Sequence, residues 1–153
     1  MANAVKWSAL GTYTALILGA DVAPTLKNLA NNGQKLGTEV DNSTDRNQYG
    51  EFELMCRGAA AFTAGTSVEL YLIQAVGGTA YADGDDSIAP PLTALVGVFP
   101  LRAVTTQQRI AMSHILLPPT KFKPLVINKG GQAFTNTDAE NLLYFRSYND
   151  EIQ

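Results

Sequence analysis

The stretch Val68–Leu101, VELYLIQAVGGTAYADGDDSIAPPLTALVGVFPL, decides the fold. Its first run places Val68, Leu70 and Leu72 on one face of an extended chain and Glu69, Tyr71 and Ile73 on the other, the two-residue period of a strand. A Gly-Gly turn, an acidic loop and the pair Pro90-Pro91 then break the chain. In the second run, Leu92, Ala94, Val96 and Val98 alternate with Leu95, Phe99 and Leu101. Both faces of that strand are apolar, unlike an antiparallel strand with one wet face. The expectation is that one face serves the domain's own core and the other a neighbouring molecule.

Working outward, EFELMCRG alternates Glu51, Glu53 and Met55 against Phe52, Leu54 and Cys56, and QRIAMSHILL sets Ile110, Met112 and Leu116 together. KFKPLVIN and NLLYFRSY follow, separated by the turn NKGGQ. Pro124 removes a ladder donor from KFKPLVIN, which predicts an edge or irregular strand there. VKWSALGTYTALILGA reads as extended and apolar for a terminus, and residues 1–20 are assigned as an extended interaction segment. In APTLKNLANNG, the spacing of Leu26, Leu29 and Ala30 before Asn32-Gly33 predicts one short helical turn. Roughly seven or eight strands at intervals of about ten residues predict an all-β, antiparallel sandwich, with the eight-stranded jelly roll as the favoured version. No repeat or linker divides the chain, so residues 1–153 are read as one domain.

A chain of 153 residues is long enough to bury a full core. Its single cysteine, Cys56, makes no internal disulfide framework and reads as a small buried hydrophobe. No charged segment followed by an apolar one opens the sequence, so no cleaved secretion signal is expected; NST at Asn42 is then a sequon without a glycosylation context. Apolar runs fall far short of the roughly 20 residues of a membrane-spanning helix. Charged residues are only 16% of the chain, against roughly 25% in typical domains, a surface suited to burial against protein. A net charge of −3 argues against nucleic acid as a partner. The charge is nonetheless segregated: residues 41–90 carry two arginines against eight acids, whereas residues 102–130 carry five cations and no acid. These blocks complement one another within one molecule or between neighbours.

Residue types that carry catalysis are sparse. The only histidine, His114, falls with Ile110, Met112 and Leu116 on strand alternation and reads as structural, while Ser113 points to the opposite face. There is no His/Cys cluster, phosphate-binding glycine loop or HExxH. Asp83, Asp85 and Asp86 supply hard oxygen ligands of the calcium type but lack the distal glutamate of an EF-hand, so a solvated turn is the better reading. Glu51, Glu53 and Glu69 are poor candidates for a glycosidase pair. Trp7, Tyr13, Tyr49, Tyr71 and Tyr81 are candidates for a carbohydrate platform, weighed against ordinary core or subunit packing. The expectation is of no enzyme activity, no cofactor and no metal.

The segments KWSALGTYTALI, LANNG, VELYLIQAV, GTAYADGDD, PLTALVGVFPLRAVTTQQRI, LPPTKFKPLVINKGGQAF and NLLYFRSYNDE resemble tailed-phage capsid cement, or decoration, proteins of the jelly-roll type, over nearly the whole chain. LKNLANNGQKLGTEV looks longer than the family's pattern, and Lys123-Pro124 departs from it. The resemblance implies a virion protein on the outer capsid surface that binds the major capsid protein, associates with itself as a homotrimer and reinforces the head. On that reading Trp7, Leu10 and Tyr13 anchor the N-terminal segment, and Arg102, Arg109, Lys121 and Lys123 meet an acidic patch. The alternative is a carbohydrate- or receptor-binding jelly-roll module of a phage fibre or tail.

Overall fold

Eleven strands form among the described residues, 5–17 and 24–152 of a computed structural model. They are β1 (Val5–Trp7), β2 (Thr14–Ile17), β3 (Gln34–Leu36), β4 (Val40–Asp41), β5 (Tyr49–Cys56), β6 (Ser67–Ala75), β7 (Leu95–Pro100), β8 (Gln108–Leu116), β9 (Lys121–Asn128), β10 (Leu142–Tyr148) and β11 (Asp150–Ile152). One sheet has the order β2-β10-β5-β8; the other runs β3-β9-β6-β7, with β4 also on β9 beyond the end of β3. All pairings are antiparallel, and β1 and β11 form a separate ribbon.

The two sheets close over one core, making the antiparallel β-sandwich. Phe52, Leu54 and Cys56 of β5, Leu143 and Phe145 of β10 and Leu16 and Ile17 of β2 face Val68, Leu70 and Leu72 of β6, Phe99 of β7 and Phe122 and Val126 of β9. Phe122 meets Phe145 edge-on across the layers at 6.0 Å, while Phe52 and Phe145 sit 5.0 Å apart within one layer. The alternation of β5 works as a strand code should: every second residue is fully buried.

The outer face of β6 and β9 is also dry, for a reason internal to the chain. Tyr71, Ile73, Leu125 and Ile127 form a second cluster covered by Leu36, Tyr81, Ala94 and Leu95. The acidic loop between β6 and β7 thus folds back over the sheet it connects. Gly84 lets it lie close: its φ is +130°, and a Cβ there would stand 2.7 Å from Ile73 Cδ1. The second apolar face of Val68–Leu101 is therefore used mainly within the molecule.

Three local expectations change. No helix forms in residues 24–33: Asn28 and Asn32 have φ of 56° and 62°, outside the right-handed helical region, and Leu26 and Leu29 instead drop into the core from a turn. The short helical turns are 3₁₀, at Leu92–Ala94 and Asp138–Glu140. Second, β9 is central rather than an edge. Pro124 pairs with Leu72, and its carbonyl accepts the Gly37 N–H at 2.7 Å on the side where β3 gives way to β4. The missing donor faces that gap, so the neighbour, not β9, is irregular. Third, β8 bulges: Gly50 pairs with Ile115 and Phe52 with Met112, leaving Ser113 and His114 opposite Glu51. His114 takes φ of 58°, Ile115 turns inward and Leu116 outward, so His114 does not share a face with Ile110 and Met112.

Candidate binding face

The outer face of the β2-β10-β5-β8 sheet gathers most of the chemically versatile side chains. Outward positions of β5 are Tyr49, Glu51, Glu53 and Met55; those of β10 opposite them are Tyr148, Arg146, Tyr144 and Leu142. Arg146 donates through Nε and Nη2 to one oxygen, Oε2 of Glu51, at 2.6 and 2.5 Å. On the other side, β8 presents Arg109 and Ala111. Arg109 Nε lies 3.6 Å from Glu53 Oε1, and its Nη2 donates to Met55 Sδ at 3.2 Å. Because Ala111 is small, a cleft of about 380 Å³ opens between these residues, lined by Tyr13, Glu51, Phe52, Glu53, Arg109, Ala111 and Arg146.

The N-terminal segment supplies one wall. Tyr13 stacks on Tyr144 with centroids 4.4 Å apart and planes 11° from parallel, and its hydroxyl donates to Glu53 Oε1 at 2.6 Å. Removal from water, the hydrogen bond to Glu53 and that residue's charge together push the Tyr13 phenol up to about 12. Tyr13 remains half exposed, at 50%.

At the end of the same face an aromatic group surrounds the bulge. Tyr148 is buried beneath Trp7, Tyr49 and His114, with ring centroids 6.0, 5.6 and 5.6 Å away. Its hydroxyl accepts the His114 backbone N–H at 3.2 Å and lies 2.9 Å from Nδ1. Desolvation raises the Tyr148 phenol above its ordinary range. Trp7 sits 5.8 Å from His114 and is 65% exposed; Leu10 is also exposed. The segment is nevertheless fastened: β1 pairs with β11, Ser8 N–H donates to Asn149 O at 2.7 Å, and Gly11 N–H donates to Ser147 O at 2.8 Å. Residues 1–4 and 18–20 of the expected interaction segment lie outside the described residues.

The four basic positions are not brought together. Arg109 lies in the cleft. Lys121 and Lys123 are on the opposite sheet, where Lys121 Nζ meets Glu39 at 3.2 Å and Asp41 at 3.6 Å and Lys123 Nζ stands 4.4 Å above the Tyr81 ring. The Tyr81 hydroxyl donates to Glu39; desolvation and that bond push the phenol up to about 12, while Tyr81 and Lys121 hold the Glu39 carboxyl below its usual range. Arg102 is exposed in the β7–β8 loop, its backbone N–H and C=O both clamped by the buried Gln108 side chain. Of the five cations in residues 102–130, Arg109 and Lys121 meet acids of residues 41–90, Glu53 and Asp41; further ion pairs join Lys35 to Asp86 and Arg57 to Glu140, the latter at 2.6 Å.

The other candidates are engaged structurally. Asp85 Oδ1 accepts the N–H groups of Ser87 and Ile88 at 2.6 and 2.7 Å, and Asp86 accepts the Leu36 N–H at 2.7 Å. No group of three metal-ligating side chains occurs among the described residues. Asn42 is buried, donating to Asn47 O and Pro118 O, so its sequon is a structural element. Glu51 and Glu53 each stand against a guanidinium, Arg146 and Arg109 respectively. The face thus holds paired charges, a half-exposed aromatic ring and a cleft. Sequence reading missed Tyr144, Arg146 and the bulge, although the outward period of NLLYFRSY against EFELMCRG carries the first two. No family model matches the sequence, and no curated protein does.

Proposed function

We propose that the chain is a structural virion protein of the capsid cement kind, binding the outer surface of a phage head. The observation that carries this reading is apolar surface left over after the core is complete. Leu116 is 71% exposed and with Ala94, Val96, Pro118 and Pro119 borders a recess of about 210 Å³ where the edges β7 and β8 approach each other; Leu92, 77% exposed, lies in the 3₁₀ turn that leads into β7. β7 carries no charged residue along Leu95–Pro100, and charge is a usual means of blunting an edge. Exposed Trp7 and Leu10 add a second apolar area of the hot-spot type.

Further support comes from the strand order. Counting β3 and β4 as one interrupted strand gives two four-stranded sheets, and apart from β6–β7 each successive connection from β2 to β10 passes between them. We read this as a jelly roll. The proposed division of labour places the β7–β8 edge against sister subunits, as a homotrimer, and Trp7 with Leu10 against the major capsid protein, so that symmetry multiplies weak contacts. Sedimentation equilibrium and head-binding assays on Leu92→Asp/Leu116→Asp and on Trp7→Ala/Leu10→Ala test it. The first pair should yield monomers and the second should lose head binding; trimers and binding unchanged in both would overturn the assignment.

A further inference from the structure

We infer that the Tyr13–Glu53–Arg109 cleft is a saccharide-binding site for neutral polysaccharide, a function separate from head binding. Three features of the cleft converge on this ligand class. First, Tyr13 is braced from behind by Tyr144 and from its hydroxyl by Glu53, leaving a rigid, half-exposed ring. A pyranose presents an apolar C–H face of matching size, and a pre-oriented ring stacks on it with little loss of conformational freedom.

Second, the polar groups have unspent capacity. Both bonds from Arg146 fall on Glu51 Oε2, and both Tyr13 and Arg109 address Glu53 Oε1. Glu51 Oε1 and Glu53 Oε2 therefore have no partner among the described residues. Arg109 spends only one N–H on a thioether and another on a 3.6 Å contact. Adjacent carboxylate acceptors and guanidinium donors fit vicinal hydroxyls, each of which both gives and accepts a hydrogen bond.

Third, two carboxylates face two guanidiniums, so the cleft carries no net charge to select an ionic ligand. Its volume of about 380 Å³ and open form suit one or two sugar rings of a longer chain.

Affinity electrophoresis through gels containing dextran, laminarin, galactomannan, arabinoxylan or alginate tests the inference. At least one neutral polymer should retard the wild-type chain, with alginate giving no greater effect. Tyr13→Ala, Glu53→Gln and Arg109→Ala should each weaken that retardation at least tenfold, and Val76→Ala, at an exposed position outside the cleft, should leave it unchanged. Glu53→Gln conserves shape, so its loss of binding reads the carboxylate rather than folding. Retardation by none of the polymers, by alginate alone, or with Tyr13→Ala and Glu53→Gln both behaving as wild type would overturn the inference. Head binding by the same variants is scored separately; a Glu53→Gln chain that binds heads but not polymer separates the two functions.

Discussion

Tyr13 is the residue at which solution chemistry and the proposed site meet. Its phenol is pushed up to about 12, from an ordinary value near 10, chiefly by loss of water and then by Glu53. A phenol raised on folding stabilises the protonated native state, so the contribution is complete below about pH 10 and is lost as pH rises through 12. Ultraviolet difference titration should show one tyrosinate transition in the high range moving down in Glu53→Gln, with a shallower loss of stability above pH 10. The Tyr81 phenol, pushed up to about 12 by desolvation and then by Glu39, serves as the internal reference. Cys56 gives an independent check. Burial alone pushes its thiol up to about 12, so Ellman's reagent at pH 8 should react only on unfolding, in step with loss of secondary structure. The inertness of Cys56 was legible in the sequence because strand alternation placed it beside Phe52 and Leu54. The surroundings of His114 were not, because a single extra residue in β8 moves it to the other face and no residue type announces that bulge.

Whole elements are held by buried asparagines. Asn128, at the end of β9, donates to Leu29 O, Ala30 O and Gln132 O and accepts the Gly130 N–H at 2.9 Å, tying two loops to the sheet. Asn128→Ala leaves those backbone groups without it and should cost about 3 kcal/mol, read as a lower midpoint in urea at unchanged slope. Asn141 plays the same part for Arg57 and Thr135. Sequence reading set Asn128 where KFKPLVIN meets the turn NKGGQ and Asn141 at the head of NLLYFRSY, and these bonds were not legible because their partners lie on other segments. Gly84 is the hinge of the covering loop; Gly84→Ala combines a strained φ with a 2.7 Å approach to Ile73 and should destabilise by about 2 kcal/mol, with faster amide exchange in β6. The strands of Val68–Leu101 were legible from period-two patterning. That the loop between them would cover their outer face was not, because Tyr81 and Leu95 lie too far from Tyr71 in sequence for periodicity to join them.

At the scale of the molecule, charge and apolar surface play different parts. Two cations of the basic later third, Arg109 and Lys121, meet acids of the middle, Glu53 and Asp41, in ion pairs of the exposed kind that typically contribute about 0–1 kcal/mol each. Association should then depend little on salt, since Trp7, Leu10, Leu92 and Leu116 are apolar; doubling ionic strength should change head affinity less than twofold, measured by sedimentation at two salt concentrations. The low charge content reads as a surface suited to burial; the place the proposal gives it rests on the way β7 and β8 meet, which periodicity does not show. The most direct test is co-sedimentation of the purified chain with phage heads lacking it. The cement reading predicts saturable binding at a ratio set by icosahedral symmetry, abolished by Trp7→Ala/Leu10→Ala. Heads that pellet without the chain at every concentration would contradict it.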